Sequence, residues 1–411
     1  MDIELVAAAA IYLYTTYKKY LAVYQRHSSI KKRTRKRRCW MQAIHQERTR
    51  NSMNNRLAEL LTEPTGQYFI HMSSSDFEYL LQKITPIIKK QDTCWRDSIP
   101  AKIRLAVTLR FLATGDSYTS LHKFFKISNS LVSRIIPEVC NAFNIVLKDI
   151  IRMPASSEEW LTKTKGFSFP NCIGALDGKH VMIWSPAHTG PEDMNYQGSF
   201  SIVLLTLVDN DFSFMYVDAT QSSNNDYNVL TQSELWDKIC MDTLNLPSDM
   251  FLYGEPKMPY VFLSNGKFPL SEHIMKPYNG HYVRGTPEYL YNQTVLNSHA
   301  VVDNAFGVLS TVFKVLLKPI SLEPRKCFTI IRSCLFLHNF LIKSDTSRDI
   351  YIPPGSVDIY NGELVCQGSW RHENQDHFLP LQSLPCLPDE SSVRIRQNFL
   401  SYIFRNSLEN I

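Results

Sequence analysis

The sequence predicts an α/β protein in which a helical region precedes a β-sheet core. Apolar residues recur at helical spacing in residues 76–150. After Phe169 the pattern changes to short apolar runs that are typical of strands, and helical spacing resumes in residues 290–316 and 324–341. Strands followed by helices that pack on a mixed sheet form an α/β architecture.

The chain is long and apolar enough to bury a large core. It has 411 residues, of which 44% are hydrophobic and 20% are charged, and these values exclude wholesale disorder. Residues 1–50 carry twelve Lys or Arg and three acidic residues, a charge of 12 − 3 = +9, so the other 361 residues carry 5 − 9 = −4. A basic head on a slightly acidic body predicts an anionic partner for the head.

The cysteine and hydropathy patterns indicate an intracellular protein. The nine cysteines are scattered and none forms a Cys-x-x-Cys pair, so neither a disulfide framework nor a zinc ribbon is expected. Residues 5–17 are mostly apolar, but this run is shorter than the roughly 20 residues of a spanning helix. Asp2 and Glu4 precede it and Lys18 and Lys19 follow it, the reverse of a secretory signal. We therefore expect an amphipathic N-terminal helix and no membrane partner.

A dense basic run follows this helix. Seven of the eight residues from 31 to 38 are cationic. They are Lys31, Lys32, Arg33, Arg35, Lys36, Arg37 and Arg38. Such a run repels itself unless phosphates or an import receptor neutralise it. A solvated linker is one interpretation, nuclear localisation and nucleic-acid contact are the others, and the sequence does not separate the last two. Residues 1–62 are predicted to form this basic helix and arm.

Residues 63–155 contain a candidate helix-turn-helix. Two short amphipathic segments, 117–125 and 130–136, flank a turn near Ser128. The residues expected to face inward are Leu121, Phe124, Ile127, Val132 and Ile135, and those expected on the exposed N-terminal face of the second helix are Ser130, Ser133 and Arg134. Many three-helix packings share this pattern, so DNA binding and plain structural packing both stay open. Pro137 is expected to kink or end the second helix.

Four short strands are predicted for the core. Residues 172–176 form the first and end in Asp177, and 202–208 is a continuous apolar run expected to be buried on both faces. Residues 212–217 return as its hairpin partner, and 260–263 form the fourth strand. We expect the polar residues that follow these strands to converge where the sheet stops.

Oxygen-bearing side chains at these strand ends suggest a divalent-metal site. Asp177 ends the first strand, Asp226 follows the hairpin, Asn265 follows the fourth strand, and Asp303 lies on a downstream helix. Ligands of this kind suit Mg²⁺ or Mn²⁺, and two such ions about 4 Å apart would activate water on a phosphodiester. Taken singly, an Asp at a strand end is more often a turn or cap residue.

Seven ordered motifs span most of residues 55–345. They are Leu109-Arg-Phe-Leu-Ala-Thr-Gly-Asp-Ser117, Phe169-Pro-Asn-Cys-Ile-Gly-Ala-Leu-Asp177-Gly-Lys-His180, Tyr196-Gln-Gly-Ser-Phe-Ser-Ile-Val-Leu-Leu205, Phe268-Pro-Leu270, Tyr291-Asn292, Val302-Asp-Asn-Ala-Phe-Gly307 and Leu337-His-Asn-Phe340. This series resembles the PIF/Harbinger transposase family. The resemblance implies an RNase H-like nuclease core of the DDE type in residues 156–345, preceded by the helix-turn-helix region. An irregular tail with a terminal helix would then occupy residues 346–411.

The same resemblance implies the partners and the location of the protein. DNA would be one partner and a Myb-like nuclear protein another, the location would be the nucleus, and the cofactor would be a divalent cation, Mg²⁺ or Mn²⁺. In this family the Myb-like partner commonly supplies much of the DNA recognition and the nuclear import.

The metal-binding positions of the family map onto four residues here. Asp177 and Asp226 match the first two, and Asp177 and Asp303 are the predicted catalytic carboxylates. The third position, usually Asp, is Asn265, and the fourth, usually Glu, is Asp303. His299 stands in the turn where the family tends to have Arg, and it and His180 are predicted to support the site.

These departures predict a weakened or lost nuclease. Asn265 is neutral, so the formal charge over positions 177, 265 and 303 falls from −3 to −2. Disturbing a metal site costs at least roughly 10–100-fold in affinity or activity. The Asp303 side chain is one methylene shorter than the Glu usual at this position, so its carboxylate lies further from the site. A displacement of about 1 Å in a catalytic group costs roughly 10²-fold in rate. We expect a transposase-derived nuclear protein that binds DNA or protein partners; the alternative is an active Mg²⁺-dependent DNA endonuclease or transposase.

Overall fold

The computed structural model describes most of the chain after residue 70. The described residues are 14–15, 17–18, 71–94, 97–185, 194–221, 228–252, 256–361, 363–372, 378–382 and 388–409. Contacts divide the chain into two compact units, Met1–Glu47 and Arg48–Ile411. In the first unit Tyr14 and Tyr17 are helical and exposed, and the basic run of residues 31–38 lies outside the described residues. The boundaries of the four predicted segments stay predictions.

In the second unit a run of helices precedes the first strand, and groups of strands and helices follow. The helices are α1 (Ser74–Ile88), α2 (Ala101–Thr114), α3 (Tyr118–Phe125), α4 (Asn129–Val146), α5 (Ser157–Lys163), α6 (Asn228–Thr231), α7 (Glu234–Cys240), α8 (Pro287–Val312), α9 (Pro324–Lys343), α10 (Arg348–Tyr351) and α11 (Glu390–Glu409). The strands are β1 (Cys172–Met182), β2 (Ser201–Val208), β3 (Phe214–Gln221), β4 (Met250–Phe251), β5 (Lys257–Met258), β6 (Val261–Ser264), β7 (Ile274–Met275), β8 (Ile359–Asn361), β9 (Glu363–Cys366) and β10 (Phe378–Pro380). In the part of the chain that the structure describes, no helix has the length and hydropathy to cross a membrane.

Among the described residues, six strands form the central sheet, and it is mixed. Its order is β3-β2-β1-β6-β7, and β10 pairs with β1. Strands β1, β2 and β3 are antiparallel neighbours, whereas β6 is parallel to β1 and β7 is parallel to β6. The tail strand β10 runs antiparallel to β1 from Lys179 to Val181. The predicted α/β class with a mixed sheet is therefore confirmed.

Both faces of the sheet are covered, as the apolar run in β2 predicts. All eight residues of β2 are buried, and successive side chains alternate between two cores because a strand has a period of two. Ile202 and Leu204 pack in a core shared with α1–α4, α8 and α9. Val203 and Leu205 pack in a second core with Trp160 of α5 and residues of α6 and α7.

The start of α8 follows the local rules for helix N-termini. Thr286 caps it and accepts a hydrogen bond from the Tyr289 N–H, Pro287 occupies the first turn, and Glu288 opposes the positive end of the helix dipole. The helix then continues for 26 residues. This length carries Asp303 across the sheet face.

Two details of the sequence prediction were wrong, and one of two alternatives for Pro137 is excluded. Strand β1 does not end at Asp177 but continues to Met182, because residues 177–182 pair with β2. Phe124 is 42% exposed and Phe125 is buried instead, since Phe125 lies one helical turn beyond Leu121. Pro137 does not end its helix, because α4 continues to Val146. The apolar face of α4 is buried against α9, and this burial offsets the hydrogen bond that proline removes.

The other inward predictions in this region were right. Leu121, Ile127, Val132 and Ile135 are all buried. The tail after residue 346 is less irregular than predicted, because it contains the β8–β9 hairpin and the strand β10. The predicted terminal helix is present as α11.

Candidate functional site

Asp177 lies in the middle of the central strand and is fully buried. Alternation along β1 places it on the same face as Ala175 and Lys179, the face that packs against α8. Its backbone carbonyl accepts a hydrogen bond from the Thr206 hydroxyl of β2, at 3.2 Å. A carboxylate in this position has little freedom to move, so its surroundings decide what it can bind.

Strand β6 brings the next two polar residues to this carboxylate. Ser264, the last residue of β6, pairs with Leu176 in the parallel register, so the residues after it lie beside Asp177. The Asn265 amide Nδ2 lies 3.5 Å from Asp177 Oδ1. The Lys267 ammonium donates to the same oxygen at 2.9 Å. A lysine therefore makes the shorter of the two contacts with Asp177.

Helix α8 supplies Asp303 on the opposite side of the site. Lys179 Nζ lies 3.2 Å from Asp303 Oδ1 and 3.3 Å from Asp177 Oδ2. These two carboxylate oxygens are therefore at most 3.3 + 3.2 = 6.5 Å apart. The ammonium also lies 5.7 Å from the ring centre of Phe306, a cation–π distance. Lys179 thus bridges the two carboxylates that the sequence assigns to catalysis.

The lysines determine the electrostatics of the site. Burial alone would raise the pKa of Asp177, but the electrostatic effects of the neighbouring Lys179, Lys267 and His299 outweigh it and lower this pKa to about 2. The pKa of Lys179 is raised, because Asp177 and Asp303 outweigh the effect of its burial. The two carboxylates and two ammonium groups sum to −2 + 2 = 0. The cluster is neutral.

The two predicted supporting histidines lie on different sides of β1. His299, one turn before Asp303 on α8, is buried, and its Nε2–H donates to the Leu176 carbonyl at 3.1 Å. His180 is also buried, but its Nδ1 bonds the Ser201 hydroxyl at 2.9 Å. Residues three apart on a strand point to opposite faces. Only His299 therefore faces the carboxylates.

The remaining predicted site residues lie elsewhere. Asp226 and the basic run of residues 31–38 lie outside the described residues. Ser130 and Arg134 are exposed and Ser133 is half-buried at the start of α4, and the Ser133 hydroxyl donates to the Ser130 carbonyl at 3.1 Å. This face of α4 is open to solvent.

Comparison with known proteins agrees with the motif series. Residues 151–351 match the family model described as plant transposon protein. By this match the chain is similar to the Harbinger transposase-derived family. It is 25% identical over 351 residues to the human protein named "Putative nuclease HARBI1", covering 83% of this chain and 91% of that protein. It is 22% identical over 287 residues to the Arabidopsis thaliana protein named "Antagonist of like heterochromatin protein 1", covering 67% of this chain and 72% of that one. No solved structure matches.

The described residues of this chain do not fit a two-metal site. The Oδ1 atom of Asn265 is buried without a hydrogen-bond donor among them, and such an acceptor would suit a cation. However, Lys179 and Lys267 already contact the carboxylates, and two ammonium groups repel a divalent ion at this range. Within the described ranges, no group of three His, Cys, Asp or Glu residues could hold a metal. The donor set therefore suits monovalent ammonium groups better than Mg²⁺ or Mn²⁺.

Sequence reasoning missed the two lysines. Lys179 stands two residues after Asp177, and a period of two places both on one face of a strand. That signal was available in the motif. Lys267 stands two residues after Asn265, but only the parallel pairing of β6 with β1 brings it to Asp177.

Two of the Harbinger motifs have structural roles. In the Leu337–Phe340 motif, the Asn339 side chain bonds both the N–H and the C=O of Phe214, at 2.9 and 2.8 Å. The neighbouring His338 donates to the Phe212 carbonyl at 2.9 Å. These bonds tie α9 to the start of β3.

The motif around Asp303 anchors the tail. Asn304 exchanges two hydrogen bonds with the backbone of Asp358 and accepts a third from the Trp370 indole. A Cβ on Gly307 would lie 2.4 Å from the Trp370 ring, so only glycine fits there. The residues that flank Asp303 therefore hold the tail against α8.

Proposed function

We propose that this protein is a nuclear, DNA-binding derivative of a Harbinger transposase whose nuclease activity is weakened or lost. The observation that carries the proposal is the pair of ammonium groups among the carboxylates. Lys179 bridges Asp177 and Asp303, and Lys267 contacts Asp177 at 2.9 Å. Two lysines supply positive charge where a nuclease of this class would need divalent cations.

The sheet supports an RNase H-like core as part of this proposal. Three antiparallel strands, β3, β2 and β1, are followed by the parallel strands β6 and β7. An arrangement of this kind places Asp177 on the central strand and the end of β6 directly beside it. The name of the human relative, "Putative nuclease HARBI1", agrees with such an ancestry.

The helical region supports DNA binding. Helices α3 and α4 are separated by three residues and share one core, which is compatible with a helix-turn-helix. The exposed start of α4 would then present Ser130, Ser133 and Arg134 to the major groove. The basic run of residues 31–38 would add phosphate contacts or nuclear import, and a Myb-like protein is the proposed partner.

One pair of assays tests the catalytic part of the proposal. Plasmid nicking by the purified full chain, with Mg²⁺ and then Mn²⁺, should not exceed nicking by the Asp177→Asn variant. Nicking that depends on Asp177 would establish the active endonuclease and overturn the proposed loss.

A binding titration tests the DNA-binding part. Fluorescence anisotropy with a labelled duplex should show weaker binding for Arg134→Ala and unchanged binding for Arg325→Ala, an exposed arginine on α9. Neutralising the basic run should reduce the slope of log K against log[salt] by roughly 0.9 per lost phosphate contact, or it should reduce nuclear accumulation. Unchanged binding and unchanged import in all these variants would refute this part.

A further inference from the structure

A groove runs along the outer edge of β3, away from the carboxylate cluster. It has a volume of about 570 Å³ and lies between β3, the end of α4, α7 and α9. Strand β3 ends the central sheet within the described residues, so the side of β3 opposite β2 has no strand partner there. Strand β2 separates this edge from β1 and its Asp177.

The backbone of β3 directs hydrogen-bonding groups into this groove. The N–H and C=O of Phe214 both bond the Asn339 side chain rather than β2. The Ala219 N–H bonds the Asp218 carboxylate at 2.8 Å, so it also points away from β2. Residues two apart in a regular ladder point the same way. Val217 therefore presents its N–H and C=O to the groove between these two satisfied positions.

The Asn339 carboxamide shows what this edge accepts. It bonds the N–H and the C=O of one residue, as a residue of a neighbouring strand does. The first pairing position of the edge is thus filled from within the chain. Beyond it, Tyr216 to Ala219 are half-buried and line the groove.

The lining is apolar at its base and mostly cationic at its rim. Met215 is buried and Phe328 is half-buried, and both contribute to the groove. The charged lining residues are Lys148, Arg152, Lys238, Arg332, Asp218 and Glu234. Arg152 and Lys238 form ion pairs with Glu159 and Glu234. Lys148 and Arg332 have no carboxylate within ion-pair distance in the described part of the chain, so the rim favours an anionic occupant.

We propose that this groove binds an extended, acidic segment of a partner protein, which adds to the outer edge of β3 as a further strand. Strand addition uses backbone groups for affinity and side-chain pockets for specificity. The free edge at Val217 supplies the backbone groups, Met215 and Phe328 supply apolar contacts, and Lys148 and Arg332 select acidic side chains. A nucleic-acid backbone would use the cations but neither the strand edge nor the apolar base.

A pair of synthetic peptides tests this proposal with the full chain. The probe is a fluorescein-labelled peptide in which Glu and Val alternate over seven residues, and its twin has Lys at every Glu position. Anisotropy should show at least tenfold tighter binding of the acidic peptide at physiological salt. Combined Lys148→Glu and Arg332→Glu should remove most of that preference, whereas Lys83→Glu with Arg325→Glu, two exposed cations outside the groove, should preserve it.

Two further measurements test the strand pairing itself. Val217→Pro removes an outward N–H, which an edge strand tolerates, and it should weaken the acidic peptide at least fivefold. N-methylation of alternate peptide residues should abolish binding in one register and spare it in the other, and this result does not depend on the folding of a variant. Equal affinity for the two peptides, or binding that survives N-methylation in both registers, would overturn the proposal.

Other occupants give distinct results. A dimer seen by analytical ultracentrifugation that Val217→Pro dissociates would make a second copy of this chain the occupant and would reject the acidic segment. Tighter binding of duplex DNA that depends on Lys148 and Arg332 would reject it in favour of nucleic acid. The peptide assays are independent of plasmid nicking and of Arg134, so this proposal and the proposed function can fail separately.

Discussion

Replacing Lys267 with methionine should destabilise the protein in a way that a divalent ion can reverse. Asp177 is fully buried, and Lys267 and Lys179 lie 2.9 and 3.3 Å from its oxygens. Loss of one partner from a buried ion pair costs roughly 3–5 kcal/mol. Because Lys179 would remain in Lys267→Met, we expect a loss near the lower limit, about 3 kcal/mol in the free energy of unfolding.

Adding Asn265→Asp should turn the neutral cluster into a metal site. The charge of Asp177, Asp303, Lys179 and Lys267 is 0 in the natural chain, and the two substitutions lower it to −2. A divalent ion about 4 Å from an ammonium group is repelled by about 2 kcal/mol in water and about 8 kcal/mol at an effective dielectric constant of about 20. Removing one lysine should therefore raise Mn²⁺ affinity at least about tenfold, and adding Asp303→Glu should raise it further.

Thermal unfolding with and without Mn²⁺ measures this change, and calorimetric titration gives the affinity. The natural chain should show no stabilisation, whereas the Asn265→Asp, Lys267→Met variant should gain about 2.7 kcal/mol when free Mn²⁺ is about 100 times its Kd. Asp177→Asn in that background should abolish the gain. Lys163→Met is the matched control, because Lys163 lies 2.6 Å from the buried Asp209 away from this cluster. It should destabilise without rescue by Mn²⁺.

Two results would refute this reasoning. Stabilisation of the natural chain by Mn²⁺ that Asp177→Asn removes would mean that the lysines do not exclude the ion. If Mn²⁺ does not stabilise the repaired variant, charge does not limit metal binding. The geometry around Asp177 would then be the limiting factor.

Two further predictions concern the structural motifs. Burial lowers the pKa of His338 to about 4, below its ordinary 6.5. As the pH falls, this histidine is therefore protonated in the unfolded chain before it is protonated in the folded protein. The free energy of unfolding should fall by on the order of 3 kcal/mol between about pH 6.5 and 4. Urea unfolding across this range should show a smaller loss in His338→Gln, and an equal loss would contradict the assignment. In Gly307→Ala the added Cβ would lie 2.4 Å from the Trp370 ring, so the ring should move. The free energy of unfolding should fall by about 2–4 kcal/mol. Tryptophan fluorescence and urea unfolding measure this, and additive costs with Trp370→Ala would exclude the clash.

Local patterns were enough to predict most elements of this protein. The burial of β2 on both faces required only recognition of the mostly apolar run of residues 202–208. The motif order predicted the family, and the spacing of Asp177 and Lys179 contained the information that both share one face of a strand. Packing overrode local preference at Pro137, which does not end its helix because burial of the helix beyond it offsets one lost hydrogen bond.

Only the tertiary structure decided what surrounds the carboxylates. Asp177 and Lys267 are 90 residues apart, and Asp303 is 126 residues from Asp177, so no local rule places them together. The parallel pairing of β6 with β1 and the packing of α8 on the sheet do so. The same charges exposed to water would interact by about 1 kcal/mol, but burial removes the screening. The sequence by itself determined which ionisable residues the chain has, and the fold determined that lysines rather than solvent neutralise its central carboxylate.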